Sequence, residues 1–494
     1  MTDVCLAFEI HQPFRIDKNF TEELADGRSP EELLEVYFNN TWNREILLRA
    51  AEKCYLPANR TILENIDLFK SDRRGFKVAF SISGVFLEQC ERWAPDVLDS
   101  FNQLAETECV EFLCQTYFHS LSSLYSTSRP EFVEQVILHR ELMQDLFRQR
   151  PQIFENTEFI YNNSIAKTIA GLGFRGIFTE GTERILGGRS PNFVYRARDC
   201  DLRVLLRNYK LSDDVSFRFS NRSWSNWPLT ADKYAEWLSK TPGQCINIFM
   251  DYETFGEHQW PETGIHDFLH WLPGEILKHK HLQFKTPSEL IDCQPVGEFA
   301  VHDFDTISWA DVDRSTDAWL GNDMQRTAYT AVKDFELFVK KTKNSELQKI
   351  WRLLQISDHL YYMFTTKGPS GIVHGYFSQQ FPMEAFWSFL RVLSNFHEKV
   401  SENLEGEDQV STRLLRFVPP DRAFHFHENG IYINLSAHSL EELRDAISFA
   451  TDKSVLFHSA CNHFEKWVRF TIGDRKLAEM ISKIEAEDVH NLRQ

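Results

Sequence analysis

An apolar run, Ile246-Asn247-Ile248-Phe249-Met250, leads straight into Asp251-Tyr252-Glu253-Thr254-Phe255-Gly256-Glu257-His258, so three carboxylates and a histidine cluster where a strand should end. A second apolar stretch, Phe174 to Thr179, closes on Glu180. Two strands that each deliver one carboxyl group supply the parts for glycoside hydrolysis, in which one group attacks or stabilises the sugar and the other moves a proton. Alternation along the strand predicts that Asp251 and Glu253 point the same way. His11-Gln12-Pro13 follows the first apolar run, where the proline ends the ladder and lets imidazole and amide project from the strand end. The segment Glu111 to His119 again closes a strand with polar and aromatic groups.

These groups need a frame. Strand-like runs recur at Val4 to Glu9, Phe76 to Ser81, Cys109 to Cys114, Glu158 to Tyr161, Gly176 to Thr179, Leu202 to Leu206 and Ile246 to Met250. Buried strands separated by helical or loop segments predict an α/β chain with a parallel βα barrel, whose chemistry sits on the C-terminal strand ends. His11, Glu180 and Asp251 all lie at or just past such ends. From about residue 322 the period becomes helical, with Met324, Ala328, Val332, Phe335 and Val339 in one stripe. The polar run Ser401 to Gln409 and Pro419-Pro420 mark a linker before a small α+β module. The expected division is a barrel over 1–295, a helical domain over 296–405 that completes the substrate cleft, and an accessory module of unassigned role over 413–494.

The bulk properties narrow the partners. A net charge of -18, from 72 acidic against 54 basic residues, repels nucleic acid. Aromatic residues make up 14% of the chain, including 41 Phe and 12 Trp, which suits stacking on sugar faces as well as core filling. No basic and apolar leader opens the chain, and no stretch reaches the roughly 20 apolar residues of a membrane helix, so no membrane partner and a cytoplasmic location are expected. The nine cysteines form no CxxC pair, which argues against a disulfide framework and against a thiolate zinc site.

Taken in order, His11-Gln12-Pro13, Glu111 to His119, Phe178-Thr179-Glu180-Gly181 and Asp251 to Gly256 resemble glycoside hydrolase family 57. The nearest match is its intracellular α-amylase-like branch, typical of archaea. Glu9 to Arg15 and Ser357 to Met363 are similar to that branch, and the resemblance covers about residues 1–400. It implies an incomplete (β/α)7 barrel with a helical domain, acting on α-1,4-glucans such as starch, glycogen or maltodextrin, with retention of configuration, no cofactor and no obligatory metal. On matching positions the family's nucleophile falls on Glu180 and its general acid/base on Asp251. Their carboxyl groups are then expected about 5 to 5.5 Å apart. Glu180 and apolar neighbours such as Phe255 would raise the proton affinity of Asp251.

The same resemblance puts His11 and Glu253 beside the cleavage point. His258 and Trp260 would add a polar grip and a stacking wall. Ser308-Trp309-Ala310-Asp311 and Arg314 to Asn322 resemble the family's last motif more loosely, because Ser315 stands where an acid is usual, and they offer Trp309 and Trp319 for stacking. Asp213-Asp214 with Arg218 is explained by an Asp214–Arg218 ion pair. In the C-terminal module His425, His427, His438, His458 and His463 lack carboxylate or thiol partners at zinc spacing. Transfer to a second sugar by a 4-α-glucanotransferase would use the same two carboxyl groups. A noncatalytic glucan-binding or regulatory barrel and a metal-dependent deacetylase are the remaining alternatives.

Overall fold

The computed structural model describes residues 1–125, 128–365, 381–484, Val489 and Arg493. The stretch 366–380 of the expected helical domain, and most of 485–494 in the expected module, lie outside the described residues. The chain parts into two compact units: residues 1–14, 40–318 and 355–357 form one, and residues 15–39, 319–354 and 358–494 the other.

The first unit is built on strands β1 (Thr2–Ile10), β2 (Val78–Ile82), β3 (Val110–Phe112), β4 (Ile153–Glu155), β5 (Gly176–Glu180), β6 (Tyr195–Ala197), β7 (Arg203–Arg207) and β8 (Cys245–Asp251). All of these except β6 run parallel and close a ring. β1 pairs with β2, β2 with β3, β4 with β5, β5 with β7, β7 with β8, and β8 with β1. The β3–β4 seam is made just past β3 by Cys114, whose N–H donates to Ile153 at 3.0 Å and whose carbonyl accepts from Glu155 at 2.8 Å. β6 runs antiparallel to β7, and two short strands, β9 (Leu282–Phe284) and β10 (Glu298–Phe299), add to β1 and β6. The result is the expected incomplete (β/α)7 barrel, one strand short of the common eight.

Strand parity sorts the side chains into two cores. Val4, Leu6, Phe8 and Ile10 face outward with Val78, Phe80, Ile246, Ile248 and Met250, packing against helical residues such as Ala58, Ile62, Phe86 and Leu269. Cys5, Ala7, Ala79, Ile153, Phe178, Leu205, Cys245 and Phe249 fill the barrel interior. Phe249 is fully buried there, edge-on to Phe159 at 4.7 Å and to Phe178 at 5.1 Å. Two residues beyond this layer, on the same parity, the strands present Glu9, Ser81, Glu155, Glu180, Arg207 and Asp251. Polar groups therefore replace apolar ones at one level, the C-terminal rim.

One predicted strand is displaced. Glu158 to Tyr161 does not form the fourth strand, because Glu158 and Phe159 both take left-handed φ, +59° and +58°. Two consecutive left-handed residues cannot extend a ladder. The ladder instead uses Ile153–Glu155, and Tyr161 pairs antiparallel with Ile307.

The second unit is mainly helical, with helices Asp323–Asp334, Glu336–Thr342, Ser345–Leu353, Pro382–Glu402 and Gly406–Leu414. Of the predicted stripe, Ala328, Val332, Phe335 and Val339 are buried. Toward the C-terminus an antiparallel hairpin, β11 (Phe424–Glu428) and β12 (Ile431–Ala437), shares a core with the following helices through Phe424, Phe426, Leu443 and Trp467.

Replacing Phe249 by Ala should empty the centre of the barrel interior and cost about 3–5 kcal/mol. Urea unfolding of the two proteins measures this; a loss below 1 kcal/mol, of the order of one methylene, would contradict the interior packing.

Candidate active site

Glu180 is the last residue of β5, with no exposed surface. It stands in register with Arg207, the last residue of β7. Arg207 uses all three of its side-chain nitrogens here: Nη1 donates to Glu180 Oε2 at 3.0 Å, Nη2 to Asp213 Oδ1 at 2.6 Å, and Nε to the Phe249 carbonyl at 2.7 Å. A second guanidinium, Arg314, has its Nε 3.6 Å from the same Glu180 oxygen and donates to Asp213 Oδ2 at 3.3 Å. Two cations and two anions thus balance. Burial pushes the Glu180 carboxyl up from its ordinary value, while Arg207 and Arg314 pull it back. The other Glu180 oxygen accepts from the Gly181 N–H at 2.8 Å. That turn requires glycine, since a Cβ at 181 would sit 2.4 Å from the Arg207 carbonyl oxygen.

Asp251 ends β8 and is partly exposed, level with Glu9 on β1. The strand does not continue, and this overturns the expectation that Asp251 and Glu253 point together. Residues 252–254 form a 3₁₀ turn. Tyr252 turns outward against Phe8 and Phe80, and Glu253 is buried, accepting from the Tyr55 hydroxyl at 2.5 Å and from Gln12 Nε2 at 3.4 Å. With neutral donors only, burial and the neighbouring charge of Asp251 push Glu253 up to about 8. Tyr55 closes a π-helical turn, 51–55, that needs Gly256 beneath it: at φ +138°, a Cβ there would lie 2.0 Å from the Lys53 carbonyl oxygen. Phe255, expected beside Asp251, packs instead with Phe8 and Tyr252 in the outer core.

His11 and His119 form the remaining polar corner. Their rings stack at 4.0 Å, and His11 Nδ1 hydrogen-bonds the Ser83 hydroxyl at 2.7 Å. His119 Nδ1 contacts Gln115 Oε1 at 2.9 Å, and its Nε2 lies 3.4 Å from Glu158. His258 is held neutral by burial, its imidazole pushed down to about 4. Trp260 is 53% exposed, with the Lys53 ammonium 5.2 Å above its ring.

The two later tryptophans are placed differently from open stacking platforms. Trp309 donates to Glu158 at 2.6 Å, stacks on Phe159 at 4.6 Å and carries the Arg207 guanidinium 5.3 Å from its ring centre. Trp319 is buried in the second unit, 6.3 Å from Tyr361. Arg314, from the same motif, is the residue that reaches Glu180. Next to it Asp311 accepts from the Ser315 hydroxyl at 2.9 Å, so an acid still meets position 315, from four residues upstream.

Arg207, Asp213, Glu9 and Glu155 are the rim residues that the sequence reading did not single out for chemistry. The Asp214–Arg218 ion pair is present at 2.5 Å, but its neighbour Asp213 is the one that braces both arginines. The signal for Arg207 was a charge at the end of an apolar run, Leu202 to Leu206, the same feature that marked Glu180. In the C-terminal hairpin region His458 and His463 hydrogen-bond each other at 3.0 Å, and the His427 N–H donates to His458. Among the described residues, no group of three or more His, Cys, Asp or Glu side chains could hold a metal ion.

Comparison with known proteins agrees with this architecture. The family model described as "Glycosyl hydrolase family 57" matches residues 5–307. A protein of Methanocaldococcus jannaschii named "Putative alpha-amylase" is 48% identical over 408 residues, covering 80% of this chain and 84% of its own. Two solved structures share the fold at low identity. A family 57-type branching enzyme of Pyrococcus horikoshii has TM-score 0.56 and 14% identity, covering 83% of this chain and 94% of its own. The 4-alpha-glucanotransferase of Thermococcus litoralis has TM-score 0.50 and 14% identity, covering 87% of this chain, which spans 64% of that longer protein.

Arg207→Leu should leave Glu180 buried with one counter-ion fewer and cost about 3–5 kcal/mol of stability. The loss should be larger at pH 8 than at pH 5, because at the lower pH Glu180 can take up a proton and shed its charge. Denaturant unfolding at both values checks this. An equal loss would mean that Arg207 contributes packing rather than charge.

Proposed function

The chain belongs to glycosyl hydrolase family 57, and on that premise we propose that it is a retaining glycoside hydrolase of the α-amylase type acting on α-1,4-glucans. The observation that carries the reading is the state of Glu180. It is a carboxylate without solvent, held by two guanidinium groups at the rim where β8 delivers Asp251. A nucleophile must be ionised and aimed, and the arginines serve both needs.

In this reading Glu180 Oε attacks the anomeric carbon while the bond from that carbon to the bridging oxygen breaks, and Asp251 gives its proton to the departing oxygen. Water then passes a proton to Asp251 and attacks the same carbon, releasing Glu180. Two inversions give net retention. His11, fixed by Ser83, and Glu253, fixed by Tyr55, are proposed to contact the sugar at the cleavage point and steady the two carboxyl groups. His258 and the exposed ring of Trp260 are proposed sugar contacts on the same loop. Trp309 is proposed to act through Arg207, on which its ring lies, and Trp319 to support the second unit from inside.

The reading also assigns residues 1–295 to the catalytic barrel, 296–405 to a helical domain and 413–494 to an accessory module. A cytoplasmic location is supported by the nine cysteines, all of them unpaired thiols. Transfer to another sugar would share the intermediate and differ only in which acceptor reaches it.

Incubation with maltoheptaose should yield shorter α-glucans whose new reducing ends appear first as the α-anomer by NMR. Glu180→Gln and Asp251→Asn should each lower the rate by at least about 10³-fold, on the scale of losing a nucleophile or a proton donor. Products longer than the substrate would indicate transferase activity. Release of β-anomers, or full activity in Glu180→Gln, would sink the mechanism.

A further inference from the structure

Three consecutive residues of one helical turn, Lys53, Cys54 and Tyr55, each hold a different part of the loop 252–260. The Tyr55 hydroxyl donates to Glu253 Oε1 at 2.5 Å, and the Cys54 thiol to the Tyr252 carbonyl at 3.1 Å. The Lys53 ammonium lies 5.2 Å from the Trp260 ring centre. The Lys53 carbonyl faces the loop as well: Gly256 packs so closely that a Cβ there would sit 2.0 Å from it, and just beyond the loop His266 Nε2 donates to it at 3.0 Å. In a regular α-helix successive side chains turn by about 100° and each interior carbonyl is taken by the N–H four residues on, so this set of contacts requires a departure from that geometry.

The departure has a cause in the sequence. Residue 57 is proline, which has no N–H to give the Lys53 carbonyl and whose ring clashes with that carbonyl in an α-helix. The helices Asn40–Ala50 and Leu56–Phe69 stay continuous by widening between them: Ala50 and Leu56 keep right-handed helical angles, and the Leu56 N–H donates to the Ala51 carbonyl, five residues back. The Lys53 carbonyl loses its α-helical donor and accepts from His266 instead. The flanking turns add two struts, Arg49 to Glu257 at 3.2 and 3.0 Å, and the Tyr252 hydroxyl to Asn59 Oδ1 at 2.7 Å. Single π-turns of this kind recur at functional sites.

We propose that this π-helical turn, imposed by Pro57, is the positioning element of the loop 252–260, orienting Glu253 through Tyr55 and the Trp260 ring through Lys53. The proposal rests on the sugar contacts assigned above to Glu253 and Trp260. Lys53 and Tyr55 are positioning residues: they act through those two side chains and touch no substrate atom. Tyr55 is fully buried and gives Glu253 a fixed donor, while the Lys53 ammonium sits against one face of a ring that is still 53% exposed.

The test measures melting temperature, kcat and KM on maltoheptaose for the full chain and its variants. Pro57→Ala restores the N–H at position 57, so the turn should close to an α-helix. The melting temperature should then hold or rise while kcat/KM falls about 10²-fold, the scale of a contact group displaced by about 1 Å. Two double-mutant cycles read the route. Tyr55→Phe should lower kcat/KM about tenfold in the unmodified chain, the weight of a hydrogen bond to a charged group, and leave Glu253→Gln no slower than it already is. Lys53→Met should raise KM about two- to fivefold, the weight of an exposed cation–π contact, and only where Trp260 is present rather than Trp260→Ala.

Unchanged kcat/KM in Pro57→Ala would overturn the role of the turn, and so would a fall in melting temperature in step with the rate, which would leave the turn a structural joint. Where Pro57→Ala does not fold, the cycles decide alone: losses that simply add in both would overturn the action through Glu253 and Trp260. If Glu253→Gln and Trp260→Ala both keep the unmodified rate constants, the sugar contacts fail first and the proposal falls with them. Losses in those two variants with none in Pro57→Ala strike the turn alone.

Discussion

A carboxylate with no solvent contact keeps its charge only where fixed cations replace the water it has lost. Glu180 is in that position, and much of the rim is arranged to meet the demand. Arg207 must end its strand in register with Glu180, and Asp213 must neutralise the two arginines that are brought in. Arg314 arrives from a loop more than a hundred residues away along the chain, and Gly181 lets the backbone turn close enough to donate an N–H. Each of these would be costly alone, since removing any member leaves its partner charged and buried.

The same rim holds its other carboxyl groups by different means, and the differences separate their proton affinities. Glu253 has a phenol and an amide, and is pushed up to about 8. Glu9 accepts from the Gln115 amide and Glu155 from the Ser81 hydroxyl. Asp251, at the open end of β8, keeps some exposure to solvent. Barrel parity explains why Glu9, Glu155, Glu180 and Asp251 share one level: the residues two positions earlier on their strands fill the interior, so two steps along each strand exchange apolar packing for chemistry.

Much of this frame could be read from the sequence because it is written locally. The runs that became β1, β5, β7 and β8 are long and apolar, and each stops at a charge, so the strand ends and the residues on them were visible together. Glu158 to Tyr161 misled because its composition suits a strand while its backbone is left-handed, a choice set by tertiary contacts such as the Trp309 hydrogen bond to Glu158. The bracing of Glu180 had no local signature. Arg207, Asp213 and Arg314 are spread over more than a hundred positions, and only the fold brings them to one carboxylate. Tryptophan was equally ambiguous in sequence, where a sugar platform and a packed ring look alike: Trp260 is exposed, Trp309 is partly buried on Phe159, and Trp319 is enclosed.

Glu180 is the residue proposed to form the covalent bond to the sugar. The most direct measurement treats the protein with a fluorinated α-glucosyl fluoride, which slows breakdown of the glycosyl-enzyme, and maps the digested peptides by mass spectrometry. One added fluoroglucosyl group is expected on the peptide that carries Glu180, absent from Glu180→Gln. An adduct on Asp251 or any other carboxyl group, with Glu180 unmodified, would contradict it.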